Sequence, residues 1–140
     1  MHLRTSLLSL AITFLMPTVG ALAADSSDVP AMAAAQKWLG TVDKGAYAAS
    51  WQEAADYLKK NVTQDRFAQQ LTNVRKPLGN VVSRTVFSKK FTTSAPSAPG
   101  SKSAIIEFNT SFAGRKNVVE TVTPALEKDG QWRVTGYWIK

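Results

Sequence analysis

The sequence predicts an α+β fold, with three N-terminal helices packed on a curved four-stranded antiparallel sheet. Three observations support it. Between residues 30 and 78 the apolar side chains recur at helical spacing; from residue 81 they follow strand patterns; and Asp129-Gly130 divides two strand-like runs as a hairpin turn does. Helices followed by strands, without alternation, argue against a parallel α/β sheet.

Helix one is expected over residues 30–42. Pro30 suits a first turn, and Ala31, Ala35, Trp38, Leu39 and Val42 form one continuous face. Asp43-Lys44-Gly45 ends it, with Gly45 suited to the left-handed cap. Helix two is expected over residues 46–60, with Tyr47, Trp51, Ala54, Ala55 and Leu58 repeating the spacing. Helix three has the clearest start: Thr63 as N-cap, Asp65 in the first turn, and Val62 with Phe67 as a hydrophobic staple. Its buried stripe reads Phe67, Leu71, Val74 and Leu78, and Pro77 ends it near Lys76.

Four strands follow. Residues 81–93 are rich in β-branched and aromatic side chains. Residues 94–101, with two prolines, read as a flexible connection. In the second strand Ala104, Ile106, Phe108, Thr110 and Phe112 alternate with Ile105, Glu107, Asn109 and Ser111, giving one clearly apolar face. The third and fourth strands cover residues 118–128 and 131–140. A two-residue type I′ turn at Asp129-Gly130 pairs Val122 with Tyr137, Glu120 with Ile139, Thr121 with Trp138, Ala125 with Val134, and Glu127 with Trp132. One face then carries Val122, Leu126, Tyr137 and Ile139; the other carries Val119, Val134, Trp132 and Trp138. Both are partly apolar, so the register alone leaves open which meets the helices. A doubly apolar sheet fits a pocket or partner surface, or a second face covered by helix one or by the prolines of the connecting loop.

The N-terminal segment reads as a leader. Arg4 precedes an apolar run over residues 7–16, and Ala21-Leu22-Ala23 offers small residues for cleavage after Ala23, with Ala24 as the alternative. The run falls short of the roughly 20 residues that a membrane span needs. The expected organisation is a signal peptide over residues 1–23, a polar lead over 24–33, and one domain over 34–140, periplasmic or secreted. The formal charge is +7, but the basic residues are dispersed. This argues against a nucleic-acid partner and allows at most peripheral contact with anionic membrane.

The missing chemistry narrows function. There is no Cys, and His2, the only His, lies in the leader. Thiol and His-based nucleophilic sites and Cys/His metal sites are thereby excluded from the domain, and scattered single glycines give no phosphate loop. No cofactor or metal is expected. Glu107 is expected to face away from Glu120, which removes a carboxylate pair. Arg84 pairs with Glu120 if both point inward, either as a structural tie or as the polar floor of a pocket. Trp38, Trp51 and Tyr47 read as core, while Trp132 and Trp138 are unassigned.

The run Trp38-Leu39, Val42-Asp43-Lys44-Gly45-Ala46-Tyr47 and Ser50-Trp51 resembles the DUF4019 family of small exported bacterial proteins. So do Arg75-Lys76-Pro77-Leu78-Gly79, Val82-Ser83-Arg84, Thr110-Ser111-Phe112, Glu120-Thr121-Val122 and the stretch from Asp129-Gly130-Gln131-Trp132 to Gly136-Tyr137. The family implies no catalytic residue. The element order also resembles the nuclear-transport-factor-2-like and cystatin-like cones, whose pocket lies between helices and sheet. That likeness puts Arg84, Thr110, Glu120, Thr121 and Tyr137 forward as pocket lining. The expected function is a non-catalytic module binding an unknown small ligand or envelope protein. The alternatives are a cone-fold enzyme using Glu120 with Tyr137 or Arg84, and a charge-driven role at the anionic envelope.

Overall fold

The computed structural model describes residues 27–140; the expected leader lies outside the described residues. Four helices, α1 (Asp28–Asp43), α2 (Tyr47–Glu53), α3 (Asp56–Asn61) and α4 (Gln64–Arg75), precede four strands: β1 (Val81–Thr92), β2 (Ser103–Phe112), β3 (Val118–Leu126) and β4 (Trp132–Ile139). The strands form one antiparallel sheet in the order β1-β2-β3-β4. The expected α+β class holds, with one more helix than the periodicity predicts.

The extra helix arises because the expected helix two breaks at Ala54 and Ala55, both fully buried and extended. The Ala55 N–H donates to the Val134 carbonyl at 2.8 Å instead of continuing the helix. Two small side chains let the backbone reach edge strand β4, and α3 then covers that edge. The α1 stripe is buried as expected. In α4 the Thr63 hydroxyl caps Arg66 N. Here the expected stripe is corrected: Val74 is exposed and Arg75 is buried, following Phe67 and Leu71 at four-residue steps.

The β3 to β4 turn also departs from expectation. Glu127 N bonds Gln131 O and Gly130 N bonds Glu127 O, closing a three-residue loop with Gly130 at φ 81°. This is a type I turn with a left-handed residue after it, which asks for glycine. The register near the turn is therefore offset by one, pairing Leu126 with Trp132, Ala125 with Arg133 and Pro124 with Val134. A bulge at Thr135 absorbs the offset, so Val122 pairs with Tyr137, Thr121 with Trp138 and Glu120 with Ile139, as expected. The expected pairs of Ala125 with Val134 and Glu127 with Trp132 do not form. Val134 and Trp132 join the helix-facing side, and Trp138 stays on the outer one.

The helices meet the face bearing Ile106, Phe108, Val122, Val134 and Tyr137. The indoles of Trp38 and Trp51 tie the helical layer together by donating to Ser50 O and Val62 O, each at 2.8 Å. A smaller apolar cluster, Leu78, Phe112 and Val118, fills the other end of this face. Edge strand β1 carries two bulges that turn Val82 and Phe87 out to solvent, which interrupts a flat edge.

Candidate functional site

Four of the five residues expected to line a pocket converge on the helix side of the sheet, between the two apolar clusters. Glu120 of β3 is fully buried. Its Oε2 accepts from Arg84 Nε at 2.6 Å and from the Thr110 hydroxyl at 2.5 Å, and its Oε1 accepts from the Tyr137 hydroxyl at 2.5 Å. The register brings these groups together: Arg84 lies opposite Thr110, and Tyr137 sits beside Glu120 across β3 and β4.

Two further residues close the network from the helices. Asp43, last in α1, accepts from both Arg84 Nη atoms at 2.7 and 3.0 Å and from Arg75 Nη2 at 2.7 Å. Arg75, last in α4, also donates to Tyr137 Oη at 3.3 Å and lies 3.8 Å from Glu120 Oε1. Its guanidinium carbon sits 4.9 Å over the Phe112 ring, while its Nε has no hydrogen-bond partner. On the other side, Tyr137 meets Trp38 edge-on at 5.3 Å.

Two guanidinium groups thus face two carboxylates. Burial opposes the charge on Asp43, but the hydrogen bonds from Arg84 and Arg75 outweigh it and hold its carboxyl below the usual carboxylate range. Burial likewise opposes the charge on Arg84 and is outweighed by its bonds to Asp43 and Glu120, which strengthen its hold on the proton. Burial, reinforced by the adjacent Glu120 carboxylate, pushes the Tyr137 phenol well above its ordinary value. Tyr137 therefore remains a donor, and each carboxylate oxygen accepts from a guanidinium or a hydroxyl, leaving Arg75 Nε as the one unpartnered polar atom of the network among the described residues. Such an arrangement ties the ends of α1 and α4 to strands β1, β3 and β4, with Glu120 fully buried and Asp43 at the accessible margin.

The fifth residue, Thr121, points to the opposite face, in a pair with Glu107 and Trp138. There a cleft of about 620 Å³ opens, lined by Ile105, Thr121, Thr123 and Trp138 along its floor. Residues 94–97 of the β1 to β2 connection form its wall, and Lys90 and Lys140 also line it. The connection folds back on itself through bonds from Ala98 N to Ala95 O and Gly100 N to Thr93 O. The Ser97 hydroxyl joins it to Thr135 at 3.2 Å. Glu107 lies here too, held by the Ser88 hydroxyl at 2.9 Å and a full sheet thickness from Glu120.

The family model described as "Protein of unknown function (DUF4019)" matches residues 34–137. The chain belongs to the DUF4019 family. Comparison with curated proteins finds no match. The matched span of this DUF4019 domain takes in every member of the polar network and all of the cleft lining except Trp138 and Lys140. Among the described residues no group of three or more His, Cys, Asp or Glu is placed to hold a metal ion.

Sequence reasoning missed Asp43 and Arg75. A signal for both was present: each continues an apolar stripe by one step, Asp43 four residues after Leu39 and Arg75 four after Leu71. A charged residue on such a stripe is a candidate for a buried partner.

Proposed function

We propose that this DUF4019 domain is a non-catalytic binding module that works outside the cytoplasm and holds a small ligand against the outer face of its sheet. The observation that carries this reading is the outer cleft. Its volume of about 620 Å³ suits a small molecule, and its floor includes Trp138, which is 54% exposed. The polar network supports the same reading from the other side. Glu120, Arg84 and Tyr137, the groups a cone-fold enzyme would use, are committed to one another. Export is supported by Arg4, the apolar run over residues 7–16 and Ala21-Leu22-Ala23. Within the described residues no helix is long and apolar enough to cross a membrane.

The test is a fragment screen by amide chemical-shift mapping on protein recovered from the periplasm of an expressing bacterium. Shifts gathered on Ile105, Thr121, Thr123 and Trp138 are expected. Hits gathered around Arg84 and Glu120, or a library that yields no hit, would contradict the reading. Export is checked by intact mass: cleavage after Ala23 or Ala24 is expected, and a full-length cytoplasmic product refutes it.

A further inference from the structure

We infer that the outer cleft takes a planar aromatic anion, stacked on Trp138 and held by Lys90 and Lys140. The inference rests on the binding reading above and names the ligand class. It begins with Gly136. A Cβ at this position would lie 2.4 Å from Trp138 Cη2, 2.9 Å from Cζ3 and 3.1 Å from Thr123 Oγ1. The benzo edge of the indole is therefore laid along β4, over the one position in the strand that has no side chain. An upright indole would leave that space empty. With the sheet backbone beneath it, the ring keeps its other face toward the cleft. An indole laid flat on the strand offers its outward face as a stacking surface for a second ring.

The cleft lining carries two ammonium groups, Lys90 and Lys140, against one carboxylate, Glu107. Neither lysine has an acidic partner within ion-pair distance among the described residues. Lys89, beside Lys90 but on the other face, is paired with Asp28 at 2.8 Å. Glu107, the carboxylate lining the cleft, is engaged by Ser88. The two ammonium groups stand on β1 and at the end of β4, so they bracket the floor that Ile105, Thr121 and Trp138 provide. An apolar floor with a flat ring selects a planar body, and unpaired cations at its margins select a negative substituent. A neutral aromatic would leave the lysines unused, and an aliphatic anion would leave the ring unused.

The experiment titrates the processed protein with three probes, followed by amide shifts at Thr121 and Thr123 and by the Trp138 indole N–H. The probes are naphthalene-2-sulfonate, neutral 2-naphthol and aliphatic hexanesulfonate. Naphthalene-2-sulfonate is expected to bind in the cleft at least about threefold tighter than either of the others, a margin set by the modest worth of exposed charge pairs. Trp138→Ala should weaken it about tenfold, Trp138→Phe should restore most of that loss, and Lys90→Gln with Lys140→Gln should bring it to the 2-naphthol level. If 2-naphthol binds equally well and the lysine variants change nothing, the anionic class is overturned. Equal binding of hexanesulfonate, indifferent to Trp138→Ala, overturns the stacking. Should none of the three bind in a cleft that other fragments occupy, the inference fails while the binding reading stands. If nothing at all binds there, both fail.

Discussion

Replacing Glu120 with Gln isolates the polar network. The side chain keeps its shape and loses its charge. In the native arrangement Oε2 receives two donors, from Arg84 and Thr110, and Oε1 receives the Tyr137 hydroxyl. A glutamine places its carbonyl at only one of these positions. The better choice keeps the carbonyl on Arg84 and Thr110 and turns the amide toward Tyr137, which must then reverse its hydroxyl while Arg75 still donates to it. A buried guanidinium, Arg75, and a half-buried one, Arg84, are left facing one carboxylate. Removing one member of a buried ion pair costs about 3–5 kcal/mol, and the retained hydrogen bonds put this variant near about 3 kcal/mol. In a domain of this size that lowers Tm by about 12 °C. Urea unfolding followed by tryptophan fluorescence reads the loss, with an unchanged m value reporting an unchanged fold. The paired replacement of Arg84 by Met and Glu120 by Leu removes both charges and leaves Asp43 with Arg75. It should fall short of the sum of the two single losses by at least about 1 kcal/mol. A loss below about 1 kcal/mol for Glu120→Gln, or strict additivity in the pair, would refute the reasoning.

Three further outcomes follow from the same geometry. The Asp43 carboxyl is held below its ordinary value of 3.8, so its contribution is present above that value and is lost as pH falls below it; urea unfolding between about pH 5 and 2 should show a shallower acid decline for Asp43→Asn than for the native protein. The Tyr137 phenol is raised above its ordinary value of 10.0, so its contribution is complete below that pH and is lost as pH rises beyond it. In an ultraviolet titration its phenolate signal should appear only as the fold opens, and Tyr137→Phe should remove that step while leaving the others. At Gly114 an added Cβ would stand 2.8 Å from Pro77 O and 3.0 Å from Leu78 O, both backbone atoms; Gly114→Ala should cost about 1–3 kcal/mol by chemical denaturation.

What the sequence made legible depends on where local pattern and tertiary demand agree. The α1 stripe, the Thr63 cap and the Pro77 stop are local, and the structure keeps all three. The pairing of Arg84 with Glu120 was readable only on the condition that both point inward, because the pattern left the inward face open and a bulge precedes Arg84. Pattern fails where a backbone bond crosses elements. The break at Ala54 and Ala55 depends on Val134 O, a strand carbonyl far along the chain, and helical periodicity runs across it undisturbed. The bulges have the same character. Two in β1 reverse its inward parity twice, and Thr135 corrects the offset introduced by the turn, so distant pairs match a simple register that fails near the turn itself. The outer cleft was the least legible feature. Its floor follows from Thr121 and Trp138 facing outward together; its wall is the proline-containing loop, which composition reads as flexible and which the sequence offered only as one of two possible covers for that face.

The two faces of the sheet thus differ: the inner face carries charge that holds the elements together, and the outer face carries the cleft proposed to bind a ligand. The most direct test measures naphthalene-2-sulfonate affinity for the native protein, Tyr137→Phe and Trp138→Ala under identical conditions. The account predicts an affinity unchanged within about twofold for Tyr137→Phe and about tenfold weaker for Trp138→Ala. Weakened binding in Tyr137→Phe, with Trp138→Ala unaffected, would put the ligand on the helix side of the sheet and contradict it.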